Sequence, residues 1–192
     1  MYTPKHFQAE NRAAELQLIA NYPLATVVNN ASDGLDANLL PLYWFDDDSA
    51  CGVLRGHVAR ANLLWQAQGE NVVVIFQSEN HYISPSFYPG KASDPRVVPT
   101  WNYSAVQVNG VLTVLAASEL LSLLGTMTAR HEAGRDPAWQ ISDAPAQYIE
   151  RLMAAIVGIE IKIDRIAGKF KQSQNQSAEN QAGIRAALVA RL

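Results

Sequence analysis

One cysteine, Cys51, is all that 192 residues carry, so neither an intramolecular disulfide nor a cysteine-rich zinc site can form. Its apolar setting, "ACGVLRG", reads as a buried structural thiol. No segment approaches the ~18 consecutive apolar residues of a membrane helix. The polar start "MYTPKHFQAENR" lacks the apolar core of a signal peptide, and together these absences predict a cytoplasmic protein with no membrane partner. A basic excess is missing too: 15 Lys and Arg face 18 Asp and Glu, for a net charge of −3. Duplex DNA binding draws most of its affinity from phosphate neutralisation, and there is no helix-turn-helix signature or basic recognition helix, so direct DNA binding is not expected. G-x-G-x-x-G and Walker motifs are absent, as is any H-x-x-x-H among His6, His57, His81 and His131. "TARHEAGR" has His131-Glu132 but no second histidine, and His131 reads as a favourable contact at a helix C-terminus. Ser84 and Ser86 lack the glycines of a nucleophile elbow, and Asp46–Asp48 lack the later ligands of a calcium loop.

What is present suits a single packed domain over 1–192: 48% of residues are hydrophobic and 17% charged, with no repeat or linker. "AENRAAELQLIANY" has helical spacing, with Leu16, Ile19 and Ala20 on one side. "LATVVNN" and "LDANLLPLYWF" read as strands joined by "ASDG", where Gly34 can take positive φ, and Pro41 suggests an edge or bulge. "ACGVLRGH" is a third strand and "VARANLLWQAQ" a short helix. "NVVVIFQS" reads as a strand buried on both faces, and Asn109-Gly110 as a hairpin turn between "WNYSAVQV" and "VLTVLA". Helices follow at about 118–133, opened by Ser118, and about 145–155. "GIEIKIDRI" alternates, with Ile159, Ile161 and Ile163 inward and Glu160, Lys162 and Asp164 solvated; a last helix covers about 177–191. Hairpin-linked strands with inserted helices exclude a Rossmann-type sheet and predict a mainly β (α+β) fold, a small antiparallel barrel with peripheral helices.

Three stretches could carry chemistry. In "LRGHVARANLLW", Arg55 and His57 share one strand face, Gly56 permits close approach, and Arg60 and Asn62 fall in the first turn of the expected helix. That combination suits a phosphate seat, or else two solvated arginines and a structurally bonded histidine. In "GKFKQSQN", Lys169, Lys171 and Ser173 share a face opposite Phe170, as an anion clamp or a solvated strand end. Residues 77–103 hold His81, three tyrosines, Phe87, Trp101 and four prolines, a wall for a planar ligand or an oligomer interface.

These same residues carry a family resemblance. "MYTPKHF", "DGLDAN", "LRGHVARAN", "HYISPSFYP", "VPTWNY", "TARHE", "IVGIEI" and "KFKQSQN", in order along the chain, resemble the PaiB-like, FMN-binding negative transcriptional regulators. The resemblance implies a pyridoxamine phosphate oxidase-like split barrel: a six-stranded antiparallel Greek-key barrel forming a homodimer, with FMN at the subunit interface. It implies Arg55, His57, Arg60 and Asn62 around the FMN phosphate and ribityl chain, with Lys169, Lys171 and Gln174 as further contacts, including from the other subunit. It implies His81, Tyr82, Ser84, Trp101 and Asn102 nearer the isoalloxazine. Leu39-Leu40-Pro41 stands where the family often has His-Ile-Pro. The function implied is flavin-sensing or indirect negative regulation of transcription; a flavin-dependent oxidoreductase and a haem-binding barrel with His57 or His81 as ligand are the alternatives.

Overall fold

The computed structural model describes residues 1–190. Asn11 starts α1 (Arg12–Asn21) by accepting from the Ala14 amide, 3.0 Å away. Seven strands follow, β1 (Leu24–Ala31), β2 (Gly34–Phe45), β3 (Val53–Ala59), β4 (Asn71–Gln77), β5 (His81–Ile83), β6 (Thr100–Val114) and β7 (Ile156–Lys171). Helices α2 (Ala117–Glu132) and α3 (Ala146–Ala154) are inserted between β6 and β7, and α4 (Ala178–Val189) ends the described chain. Residue 191 of the expected last helix lies outside the described residues.

The strands run β4–β1–β2–β3–β7–β6 side by side, and β6 pairs back with β4. Every pairing is antiparallel, so six strands close into a ring and remove their own edges, while β5 is added on β6. Alternate residues of each strand point inward, among them Val27, Leu42, Leu54, Val74, Phe76 and Val106, all fully buried. Burying each such apolar side chain is worth about 1.5–3 kcal/mol, which makes this interior the main stabilising element. Helix α1 closes one end of the ring with Leu18 and Ile19. It buries Glu15 rather than Leu16 and Ala20, because the Glu15 carboxylate accepts from the Gly168 amide at 2.7 Å and draws that face inward.

Four local expectations are corrected. Asn109-Gly110 is not a hairpin turn: β6 runs straight through it, with a register irregularity against β7 at that point. Glycine is needed there because a Cβ would stand 2.2 Å from the Lys162 carbonyl oxygen. The helix expected after "LRGH" is absent; β3 continues to Ala59 and is followed by a 3-10 turn over Leu63–Ala67. Pro41 lies in a middle strand without a bulge, at the point where β2 leaves β1 (Leu24 opposite Pro41) and joins β3 (Leu42 opposite Gly56). Its missing N–H therefore interrupts no continuous ladder. Strand β4 is buried on its inner face only, since Ile75 is exposed and Val73 half-buried on the outer one.

Candidate functional site

Strand β3 carries Arg55 and His57 on the outer face of the ring, as period two requires. The residue opposite Arg55 on β7 is Glu160, and the Arg55 Nε and Nη2 both reach one Glu160 carboxylate oxygen at 2.7 Å. Glu160 was expected on a solvated face, but it is buried, held against Arg55 across the strand pair. Arg55 also lies over the Phe45 ring, 5.5 Å from its centroid. Gly56 serves the fold rather than ligand approach, because a Cβ there would meet the Pro41 carbonyl at 2.5 Å.

Arg60 and Asn62 precede a 3-10 turn rather than lying in the first turn of an α-helix. The Arg60 Nε and Nη2 donate to the carbonyls of Ala154 and Ile156, at 2.8 and 3.0 Å, tying the end of α3 and the start of β7 to the β3 turn. Asn62 caps the 3-10 turn by accepting from Leu64 N at 2.9 Å, and its Nδ2 donates to Asn38 Oδ1 at 2.6 Å. His57 is the exception in this group. Its Nδ1 is buried and has no hydrogen-bond partner among the described residues, and burial holds the imidazole below its ordinary pKa, so the neutral ring is favoured.

The second group gathers where β5, β6 and the end of β7 meet. Register places His81 opposite Asn102 and Tyr82 opposite Trp101, so the residues expected near a planar ring divide over two faces of this ribbon. Tyr82 and the half-exposed Trp101 form an edge-to-face pair, 5.8 Å between centroids. Asn102 is buried on the other face and accepts from the Ser173 hydroxyl at 2.8 Å. Ser173 does not continue the β7 face: it turns inward with φ +60°, a left-handed conformation that costs a non-glycine residue about 1 kcal/mol or more. Thr100, Asn102, Lys171, Ser173, Tyr88 and Phe7 border a cavity of about 250 Å³.

Lys171 donates to the Thr100 hydroxyl and Lys169 sits 5.4 Å from the Tyr103 ring centroid; neither has a carboxylate partner among the described residues. Gln174 is folded back on the chain, with Nε2 donating to the His6 carbonyl at 3.0 Å, and Ser84 caps the turn at Pro85–Phe87 by accepting from Ser86 N at 3.2 Å.

Structure thus brings the twelve sequence-derived residues into two groups, not one. From Glu160, beside Arg55, to Lys171 is roughly 35 Å of extended strand. Sequence reasoning also missed Tyr43, whose hydroxyl is hydrogen-bonded to His131 Nε2 and whose ring lies under Arg130 at 5.4 Å. His131 is therefore a tertiary contact rather than only a dipole contact, a pairing across 88 residues that no local spacing signals.

A family model described as "Putative FMN-binding domain" matches residues 1–165. Among curated relatives, protease synthase and sporulation protein PAI 2 of Bacillus subtilis is 32% identical, over 96% of this chain and 87% of its own. An uncharacterized protein of Aspergillus fumigatus is 34% identical, over 85% of this chain and 76% of its own. Among solved structures, the FAD and haem binding protein from Mycobacterium smegmatis superposes with a TM-score of 0.66 at 17% identity, over 91% of this chain and 78% of that one. The flavocytochrome Anf3 from Azotobacter vinelandii gives 0.62 at 11% identity, over 94% and 78%. At these identities the structural likeness speaks for the fold, the closed antiparallel ring of split-barrel proteins.

Proposed function

Because the chain belongs to the FMN-binding domain family whose model spans its first 165 residues, we propose that it binds FMN in a site completed by a second copy of itself. The observation that carries this reading is the buried Nδ1 of His57: its neighbours Arg55, Arg60 and Asn62 all have partners within the chain, and this nitrogen has none among the described residues. An orphaned buried polar atom is costly, and a ligand that reaches it removes the cost. The cations fit a phosphate as well, since among the described residues Arg60 donates only to carbonyls and Lys169 and Lys171 have no carboxylate partner. Arg55 is the poorest phosphate ligand of the set, being neutralised by Glu160. His57, Arg60 and Asn62 of one copy would hold the phosphate and ribityl chain, and Lys169 and Lys171 of the other would close over it. Tyr82 and Trp101 offer the exposed aromatic face that an isoalloxazine needs. Bound FMN supplies two-electron redox chemistry; the residues of this chain bind and orient it.

Dimerisation is supported by the bare outer face of β1, β2 and β4. Leu39, Thr26 and Ile75 stand in one cross-strand row with Leu24 beside it, and Leu24, Leu39 and Ile75 are exposed among the described residues. A regulatory role through flavin sensing and a partner protein agrees with the net charge of −3, which disfavours direct operator binding. A flavin-dependent oxidoreductase is the second reading, favoured by the exposed Tyr82–Trp101 pair, against which a second planar molecule could stack.

The test is an FMN titration followed by quenching of flavin fluorescence, with the mass in solution measured at the same concentrations. Micromolar binding by a dimer, weakened about tenfold (about 1.4 kcal/mol) in Lys171→Ala, supports the shared site. No saturable binding by the wild type overturns the FMN reading, and tight binding by a monomer overturns the shared site. A Soret band in protein loaded with haem, without flavin binding, would select the haem alternative.

A further inference from the structure

None of the residues proposed for FMN lines the groove between α1 and the last turn of α2. Ala13, Leu16 and Ala20 of α1 form one wall, Tyr43 and Trp44 of β2 the floor, and Arg130 of α2 the opposite rim, enclosing about 320 Å³. The α1 side of the groove is apolar apart from Gln17, and two of its residues are alanines. Gln17, the other polar residue of the lining, has its amide nitrogen committed to Asn21 at 2.8 Å.

Arg130 stands in the last turn of α2, where a cation is often accounted for by the terminal carbonyls. That role is filled by Arg135, whose Nε reaches the His131 carbonyl at 3.4 Å and the Glu132 carboxylate at 3.5 Å. Arg130 is instead turned onto the Tyr43 ring, exposed, and without a carboxylate partner among the described residues. Tyr43 is fixed beneath it, because its hydroxyl is held by His131. The result is an apolar trough with one uncompensated charge at its rim, presented as a planar donor fork of the kind that matches a carboxylate. Its volume is near the lower end of ligand sites, which run from about 300 to 1,000 Å³, so the ligand is small.

We propose that this groove binds a small monocarboxylate with an apolar tail, the carboxylate on Arg130 and the tail along α1 over Trp44. Titration calorimetry of the full chain with octanoate tests it, with acetate as the tail-less probe and octyltrimethylammonium as the charge-reversed one. Octanoate should saturate one site per chain, and acetate should bind at least about tenfold more weakly. Arg130→Gln should weaken octanoate by about tenfold or more, Arg130→Lys by less, and Ala13→Phe should abolish binding by filling the trough. Arg130 is exposed, so the Gln variant is expected to keep the wild-type melting temperature, which separates loss of the site from loss of the fold. Absence of saturation up to about 10 mM, equal binding by Arg130→Gln, or equal binding of the ammonium probe would each overturn the proposal. The reading is independent of flavin: octanoate heats are measured without FMN, so either site can fail while the other stands.

Discussion

Two groups of cations sit on one ring of strands, and the chain treats them in opposite ways. Around β3, Arg55 is spent on Glu160 and Arg60 on the carbonyls of Ala154 and Ile156, so positive charge there locks the helical insertion and β7 to the ring. At the far end of β7, Lys169 meets the Tyr103 ring and Lys171 the Thr100 hydroxyl, neither with a carboxylate partner among the described residues, and Lys171 borders a polar cavity. The first group is wired into the architecture and leaves over only His57 Nδ1 and the unneutralised charge of Arg60; the second holds its charge in reserve. Residue type alone does not distinguish a structural cation from a binding one. The presence of a partner across the sheet does.

The comparison breaks most readily at Glu160. Its carboxylate is 12% exposed and the Arg55 side chain 32%, so Glu160→Ala leaves a partly buried guanidinium without its paired carboxylate. Fully buried pairs lose 3–5 kcal/mol on such truncation; with Arg55 a third exposed and able to reach water, about 2–3 kcal/mol is expected in urea unfolding. A joint Arg55→Leu and Glu160→Leu replacement should recover most of it. A loss under about 1 kcal/mol for Glu160→Ala would mean the pair is effectively solvated and the β3 group is not committed to structure. Arg60→Ala comes next: it removes two hydrogen bonds from a charged donor at an exposed site, for about 1–2 kcal/mol by the same assay. Lys171→Ala sharpens the contrast from the other side. It should change stability by no more than about 0.5 kcal/mol while weakening FMN about tenfold. Stability loss as large as that of Arg60→Ala would place Lys171 in the structural group.

Much of the ring was legible because it rests on period two. The inward Ile159, Ile161 and Ile163 of β7, the β1–β2 hairpin and the positive φ of Gly34 at its turn all follow from local pattern. What misled was local pattern overruled by a neighbour strand. Asn109-Gly110 is a hairpin signal in isolation, yet the close approach of Lys162 explains the glycine without any turn. Glu160 alternates as a solvated residue should, but the register with β3 sets Arg55 against it. The candidate site was legible as a residue list and illegible as a place. Spacing within "LRGHVARAN" and "KFKQSQN" cannot reveal that β7 holds the two motifs far apart, nor that β5 and β6 send His81 and Tyr82 to opposite faces. The Tyr43–His131 contact was beyond reach for the same reason, since it depends on where an inserted helix lands on the outer sheet.

The smallest expected effect tests the leftover atom of the structural group. Burial lowers the pKa of His57 below its ordinary value near 6.5, so the unfolded chain binds a proton that the folded chain refuses. The contribution of His57 to stability is then complete above about pH 6.5 and diminishes as the pH falls from there toward the lowered folded value. Melting temperatures taken between pH 7.5 and about pH 5 should therefore decline toward acid, and in His57→Phe the decline should be shallower by the share this residue contributes. An identical slope in wild type and variant would mean that His57 gains a proton as easily folded as unfolded. Its environment would then be wet enough for water to serve Nδ1, and the group around β3 would have no orphaned buried atom to offer a ligand. A shallower slope in the variant, restored neither by salt nor by Lys171→Ala, would assign the effect to the interior of the β3 group, because charge held in reserve at the other end of β7 is screened and does not sense this proton.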